Sequence, residues 1–145
     1  MVSGLAIDPS GNLVFADATV LAIRQVSVQG TLSTLAGGGS VALLNADGSW
    51  VADGTPARDV SFLAIDGLTV DAIGRVYIAD SASGAIVRHD GGAIEIVIAR
   101  QIDVAQVDGV GARQSSVTSV GAVSTDRSGN LYFEDGPALR KISEL

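Results

Sequence analysis

One hairpin recurs three times along this chain, and that repetition limits the possible folds more than any other feature. Gly4 to Asp17 (GLAIDPSGNLVFAD), Gly67 to Asp80 (GLTVDAIGRVYIAD) and Ala122 to Asp135 (AVSTDRSGNLYFED) align without gaps. Each carries Asp, then Gly three residues later, then an apolar run closed by a second Asp. Asp8-Pro9-Ser10-Gly11 has the chemistry of a type I turn: Asp at the first corner, Pro next and Gly at the fourth position. Asp126 to Gly129 repeats it, and Asp71 to Gly74 keeps both ends. Runs of Val, Ile, Leu, Phe and Tyr flank each turn and read as strands. The second strands (Leu13 to Ala16, Val76 to Ala79, Leu131 to Phe133) are apolar without alternation, which predicts strands covered on both faces.

The pattern continues past each hairpin. Leu21 to Val26, Ala85 to Arg88 and Ala138 to Ile142 read as third strands, each with an arginine: Arg24, Arg88 and Arg140. Thr31 to Ala36 and Ala93 to Ala99 read as fourth strands, preceded by turns at Gly30 and at Gly91-Gly92. The third unit ends before a fourth strand, so eleven strands are expected. Repeated four-stranded antiparallel units describe a β-propeller. The chain is therefore read as all-β: about three four-stranded antiparallel blades, the last lacking its fourth strand. Blade 1 covers about 4–37, blade 2 about 67–99 and blade 3 about 121–145. Long connections run over 38–66 and 100–120. A β-sandwich is the structural alternative, but it gives no reason for the same hairpin to recur at the same place in each unit.

These residues resemble the NHL repeat family of β-propellers, in a bacterial form. Gly4 to Asp17 and Gly67 to Asp80 are similar to its first two strands. Ile23 to Val26 and Leu139 to Ile142 are similar to its third. Gly30 to Gly39 resembles its fourth strand and exit, and Asp53 to Arg58 resembles the turn of bacterial members, with a weaker copy at Asp108 to Arg113. The resemblance implies a six-bladed ring, of which this chain supplies half. The loops after Asp17, Asp80 and Asp135 depart from the family's pattern, and the spacing from each Asp to the following Arg drifts. An open arc of three blades leaves apolar sheet faces uncovered. Either a homodimer closes a six-bladed ring, or the chain is a piece of a longer one.

Composition excludes several functions. There are 16 Asp and Glu against 9 Lys and Arg, a net charge of −7, which argues against a nucleic-acid partner. No apolar run is long enough for a membrane helix, and no signal peptide pattern follows Met1. Cys is absent and His89 is the single histidine, so no cofactor or metal is assigned. Arg makes up all the basic residues but Lys141, a hint of GC-rich bacterial coding. The compartment stays open: cytoplasmic, or extracellular if a longer parent carries a leader.

Candidate sites follow from strand parity. Loops after second strands share one end with the exits of fourth strands, and long loops concentrate binding residues. Trp50 and Arg58 lie in the first long connection. Trp50 reads either as a binding anchor or, with more weight, as a small cap over a blade gap. Asp17, Asp80 and Asp135 close equivalent strands at that end. A carboxylate ring for cations is one reading; backbone capping, as in Asx turns, is the favoured one. No nucleophile motif, P-loop or EF-hand loop accompanies His89 or Gly37-Gly38-Gly39, so no catalytic residue is assigned. The expected role is a non-enzymatic binding or scaffold segment for a protein or glycan partner. The alternative is a propeller lyase or lactonase with a metal in the channel of a closed assembly.

Overall fold

The computed structural model describes residues 1–101 and 104–143. The expected end of blade 3 at 144–145 and residues 102–103 of the second connection lie outside the described residues. Strands β1 (Val2–Ile7), β2 (Leu13–Asp17), β3 (Ala22–Val26) and β4 (Leu32–Gly37) form the first sheet in that order. The 38–64 connection contributes three two-residue strands, β5 (Val41–Ala42), β6 (Thr55–Pro56) and β7 (Val60–Ser61). The second sheet holds β8 (Ile65–Val70), β9 (Val76–Asp80), β10 (Ala85–Asp90) and β11 (Ala93–Ala99), with β6 added outside β11. The third holds β12 (Val120–Thr125), β13 (Leu131–Asp135) and β14 (Ala138–Ile142). All pairings within these sheets are antiparallel, and the only helical turn among the described residues is a short 3-10 segment, Ala112–Gln114. The chain is thus all-β with successive meandering blades, as the repeats predict. The first strand of each sheet is innermost, and β8 touches both β1 and β12.

Asp8, Asp71 and Asp126 set the turns in the same way. Each Oδ1 accepts two backbone amides, from Ser10 and Asn12, from Ile73 and Arg75, and from Ser128 and Asn130. An Asx turn of this kind fixes the hairpin and leaves Gly11, Gly74 and Gly129 in the left-handed region. In Asp71 burial acts to raise the pKa, but Arg75 and the two amides outweigh it and hold the carboxyl below its ordinary range.

Two core layers stack the blades. Between blades 1 and 2, Val14, Ala16, Ile23 and Ala36 meet Leu68, Ile78, Val87, Ile94 and Ile96. Between blades 2 and 3, Tyr77, Ala79, Ile86 and Ile98 meet Leu131, Phe133 and Val120. Burying each large side chain here contributes roughly 1.5–3 kcal/mol. Only β9 is buried at every position. In β2 Val14 and Ala16 are buried while Leu13 and Phe15 are half-buried, and β13 alternates too. The expected double coverage of second strands therefore holds for the middle blade alone, because blades 1 and 3 each have one neighbour.

Two further expectations need correction. The first is the equivalence of the arginines. Arg24 pairs across from Phe15 and Arg140 from Phe133, but Arg88 pairs across from Tyr77, one residue further along. Val87 takes the Arg24 position. A one-residue slip turns a side chain to the other face, so Arg88 points toward blade 3 with Tyr77 rather than toward blade 1. The second is the first long connection, which is not confined to one end. Its β6 pairs with Ala93 and Ile94, at the start of β11, before the chain returns to β8. This covers an otherwise open sheet edge.

The return of each connection is held by the carboxylate that ends the second strand. Asp80 is fully buried. It accepts the amides of Leu63 at 2.8 Å, Ala64 at 3.0 Å and Ser83 at 3.2 Å. Asp135 accepts Thr118 N at 2.7 Å and Ser119 N at 3.1 Å, together with Gln106 and the Arg140 guanidinium. Asp17 accepts the amide of Thr19 at 3.0 Å, within its own loop. Asp80→Ala is expected to lower unfolding stability by roughly 3 kcal/mol, because three amides lose their acceptor, while Asp17→Ala costs less than about 1 kcal/mol. Urea unfolding of the two variants checks this ranking, and equal losses would refute it.

The innermost strands approach most closely at glycines. A Cβ on Gly67 would lie 2.5 Å from the carbonyl oxygen of Gly121 in β12, and one on Gly4 would lie 2.9 Å from the Cβ of Leu68 in β8. Gly67→Ala is therefore expected to push blades 2 and 3 apart and to cost about 1–3 kcal/mol. A thermal melt that matches the unsubstituted chain would contradict that packing.

Candidate functional site

The first connection places Trp50 through a short turn. Asp47 Oδ1 accepts the amide of Ser49 at 2.9 Å, and Asn45 and Ser49 close the turn by backbone bonding at 2.8 Å. Leu44 and Trp50 face each other across it as an isolated bridge. Leu43 and Val51 point into the first core layer and are buried. The alternation leaves Trp50 half-buried, packed against that layer with part of its ring in solvent.

Trp50 forms one wall of a cleft of about 260 Å³ along β11. Val51, Ile96, Ile98 and Ala99 supply apolar surface, and Asp53, Gln101 and Arg113 supply polar groups. Two distant segments are joined there. Asp53 Oδ1 accepts the amide of Ile96 at 3.0 Å, and its Oδ2 pairs with Arg113 Nη1 at 2.6 Å. Arg113 Nη2 reaches Glu95 Oε1 at 3.2 Å, and Glu95 Oε2 pairs with Arg88. The result is a line of alternating charge, Asp53–Arg113–Glu95–Arg88, along the outer edge of blade 2. Arg113 also lines a second depression with Arg88, Glu95 and Gly111. Burial acts to raise the Asp53 pKa, but Arg113 and the Ile96 amide outweigh it and hold the carboxyl below its usual value. The side chains of Arg113, Asp53 and Glu95 are 51%, 43% and 40% exposed, so each pair stabilises by no more than about 1 kcal/mol.

The structure does not gather the sequence-derived candidates into one place. Of Trp50, Arg58, Asp17, Asp80 and Asp135, only Trp50 lines this cleft. Arg58 is exposed beyond β6. Asp80 and Asp135 are buried with their carboxylates taken up by backbone amides, and Asp17 is half-buried at the end of β2. Arg113 and Glu95 are the partners that sequence reasoning missed. The available signal was the pair of Asp-Gly linker motifs at Asp53 and Asp108, since Asp53 and Arg113 belong to corresponding turns.

His89 lies in β10 between Val76 and Ile94. Its Nδ1 is buried without a hydrogen-bond partner, and burial pulls its pKa below the ordinary value. Among the described residues no group of three or more His, Asp or Glu side chains converges as metal ligands would.

No protein-family model matches the chain, and no curated protein matches it. Solved structures do. A protein of unknown function from Bacteroides thetaiotaomicron aligns at 25% identity over 90% of this chain and 32% of its own, with a TM-score of 0.66. Virginiamycin B lyase from Staphylococcus aureus aligns at 12% identity over 99% of this chain and 41% of its own, with a TM-score of 0.58. A gluconolactonase from Xanthomonas campestris aligns at 18% identity over 94% and 35%, with a TM-score of 0.60. The chain thus spans between 32% and 41% of the length of these neighbours. They are propeller-type proteins, and this chain shares their fold.

Proposed function

We propose that this chain is a non-enzymatic binding segment of an NHL-type β-propeller, and that it holds a glycan or protein partner in the cleft beside Trp50. The observation that carries this reading is the half-buried Trp50 beside an apolar floor, rimmed by Asp53, Gln101 and Arg113. A flat aromatic face stacks on a sugar ring or an apolar side chain, while a few placed polar groups fix its orientation. The cleft sits on the outer strand of the best-buried blade, so its geometry is set before any partner arrives. The competing reading is an enzyme of lyase or lactonase type, as the names of two structural neighbours indicate for those proteins.

Trp50 is the only tryptophan, so its fluorescence reports on this cleft alone. Titration with soluble oligosaccharides and with peptides is expected to give a saturable spectral shift for one of the two classes. By isothermal titration calorimetry, which does not need the fluorophore, Trp50→Ala is expected to weaken that binding at least about tenfold, and Arg58→Ala by less than about fivefold. No saturable shift with either class, or turnover of a lactone at an enzymatic rate, overturns the reading.

A further inference from the structure

Each blade has two unlike faces, and the chain stacks them in one sense. The face of blade 1 that bears Val14, Ala16 and Ile23 packs on the face of blade 2 that bears Ile78 and Val87. The face of blade 2 that bears Tyr77, Ala79 and Ile86 packs on the face of blade 3 that bears Leu131 and Phe133. Among the described residues two blade faces have no neighbouring blade, and they are of opposite kinds. Blade 1 leaves uncovered the type of face that blades 2 and 3 bury. Blade 3 leaves uncovered the type that blades 1 and 2 bury.

The free face of blade 1 has core composition. Leu5, Phe15 and Arg24 lie side by side across it, as do Ile7, Leu13, Val26 and Leu32. Leu5 and Ile7 are each 62% exposed, whereas Leu68, which stands where Leu5 does, is 7% exposed. Arg24 sits among them with its Nε buried and without a hydrogen-bond partner. Its counterpart Arg140 is saturated by Asp135, Asp108, Ser115 and the carbonyls of Val107 and Ser116. The free face of blade 3 holds Tyr132, Leu139 and Glu134 around a depression of about 410 Å³. Where Glu134 stands, blades 1 and 2 have Ala16 and Ala79, both packed into core layers. Glu134, the acidic residue that lines this depression, thus takes a position that meets the next blade, and Lys141 lies beside Tyr132 on the same face.

We propose that a second copy of this chain covers both faces, head to tail, with blade 3 of each copy on blade 1 of the other and Glu134 paired with Arg24 across each contact. Charge complementarity and the matching face types select this occupant. A head-to-tail contact that closes gives a discrete particle, here with two identical interfaces.

Light scattering at about 100 μM is expected to give twice the 14.6 kDa of the chain. Arg24→Glu and Glu134→Arg are each expected to weaken the dimer at least about tenfold, and the double charge reversal to restore it. Arg24→Cys combined with Glu134→Cys, in a chain with no other cysteine, is expected to form an intermolecular disulfide under mild oxidation. A monomer for the unsubstituted chain overturns the proposal. So do single reversals that keep the dimer intact, and so does a double-cysteine chain that stays unlinked. Trp50→Ala is expected to leave the mass unchanged, which separates this interface from the binding cleft.

Discussion

The buried carboxylate at the foot of the second strand is the contact on which the arc of blades depends. A connection that returns to the next blade without regular structure brings amides that need acceptors. Asp80 and Asp135 meet that need with two consecutive incoming amides each, Leu63 and Ala64 in one case, Thr118 and Ser119 in the other. Burying the charge is costly, and several charge-assisted hydrogen bonds offset that cost. Everything upstream of the clamp then has a fixed end point. Phe62 and Val60 are drawn into the first core layer, and the chain before them is held against β11 by β6. The position of Trp50 follows from that path and not from its own loop alone.

Stacking makes the middle blade different in kind from its neighbours. In a repeat array each unit gains stability from the units it touches. Blade 2 touches two, and β9 is buried throughout. Blades 1 and 3 touch one each, and their second strands alternate between buried and open positions. The candidate cleft therefore lies on the most constrained part of the chain, with its apolar floor supplied by β11. Its second wall comes from the next connection through Arg113, so the cleft forms only when both connections are in place.

Much of this architecture was legible because it is local. The turns around Asp8, Asp71 and Asp126 depend on four consecutive residues, and the three hydrogen-bond patterns agree. A structural, backbone-bonded carboxylate was readable at Asp17, Asp80 and Asp135, but the expected own-loop Asx bonding describes Asp17 and only Ser83 at Asp80. The main partners of Asp80 and Asp135 are amides of the incoming connection, 16–17 residues upstream. What escaped was nonlocal. The Asp53–Arg113 pair spans 60 residues. The slip that turns Arg88 to the other face depends on register after a loop, and no residue type announces it. The loop after β2 shows the same limit. Leu21 takes a left-handed conformation, φ 50°, at the place where Gly84 precedes β10. The repeat pattern puts Leu21 in the third strand, but it lies just before β3 with its side chain packed against the first core layer.

On the binding role proposed above, the charge line beside Trp50 constrains a partner as much as the indole does. Asp53, Glu95, Arg88 and Arg113 alternate and satisfy one another. A strongly charged ligand in this cleft must break an ion pair before it makes one, and the gain and the loss nearly cancel. The net charge of −7 then supplies only weak, screened steering at physiological ionic strength. Affinity in such a cleft rests on the aromatic face and the apolar floor, with hydrogen bonds to Gln101 and to the open edges of the paired carboxylates setting orientation. If the proposed binding role holds, those requirements fit an uncharged ligand with one apolar face and a hydroxyl-bearing rim, a pyranose ring better than a basic peptide.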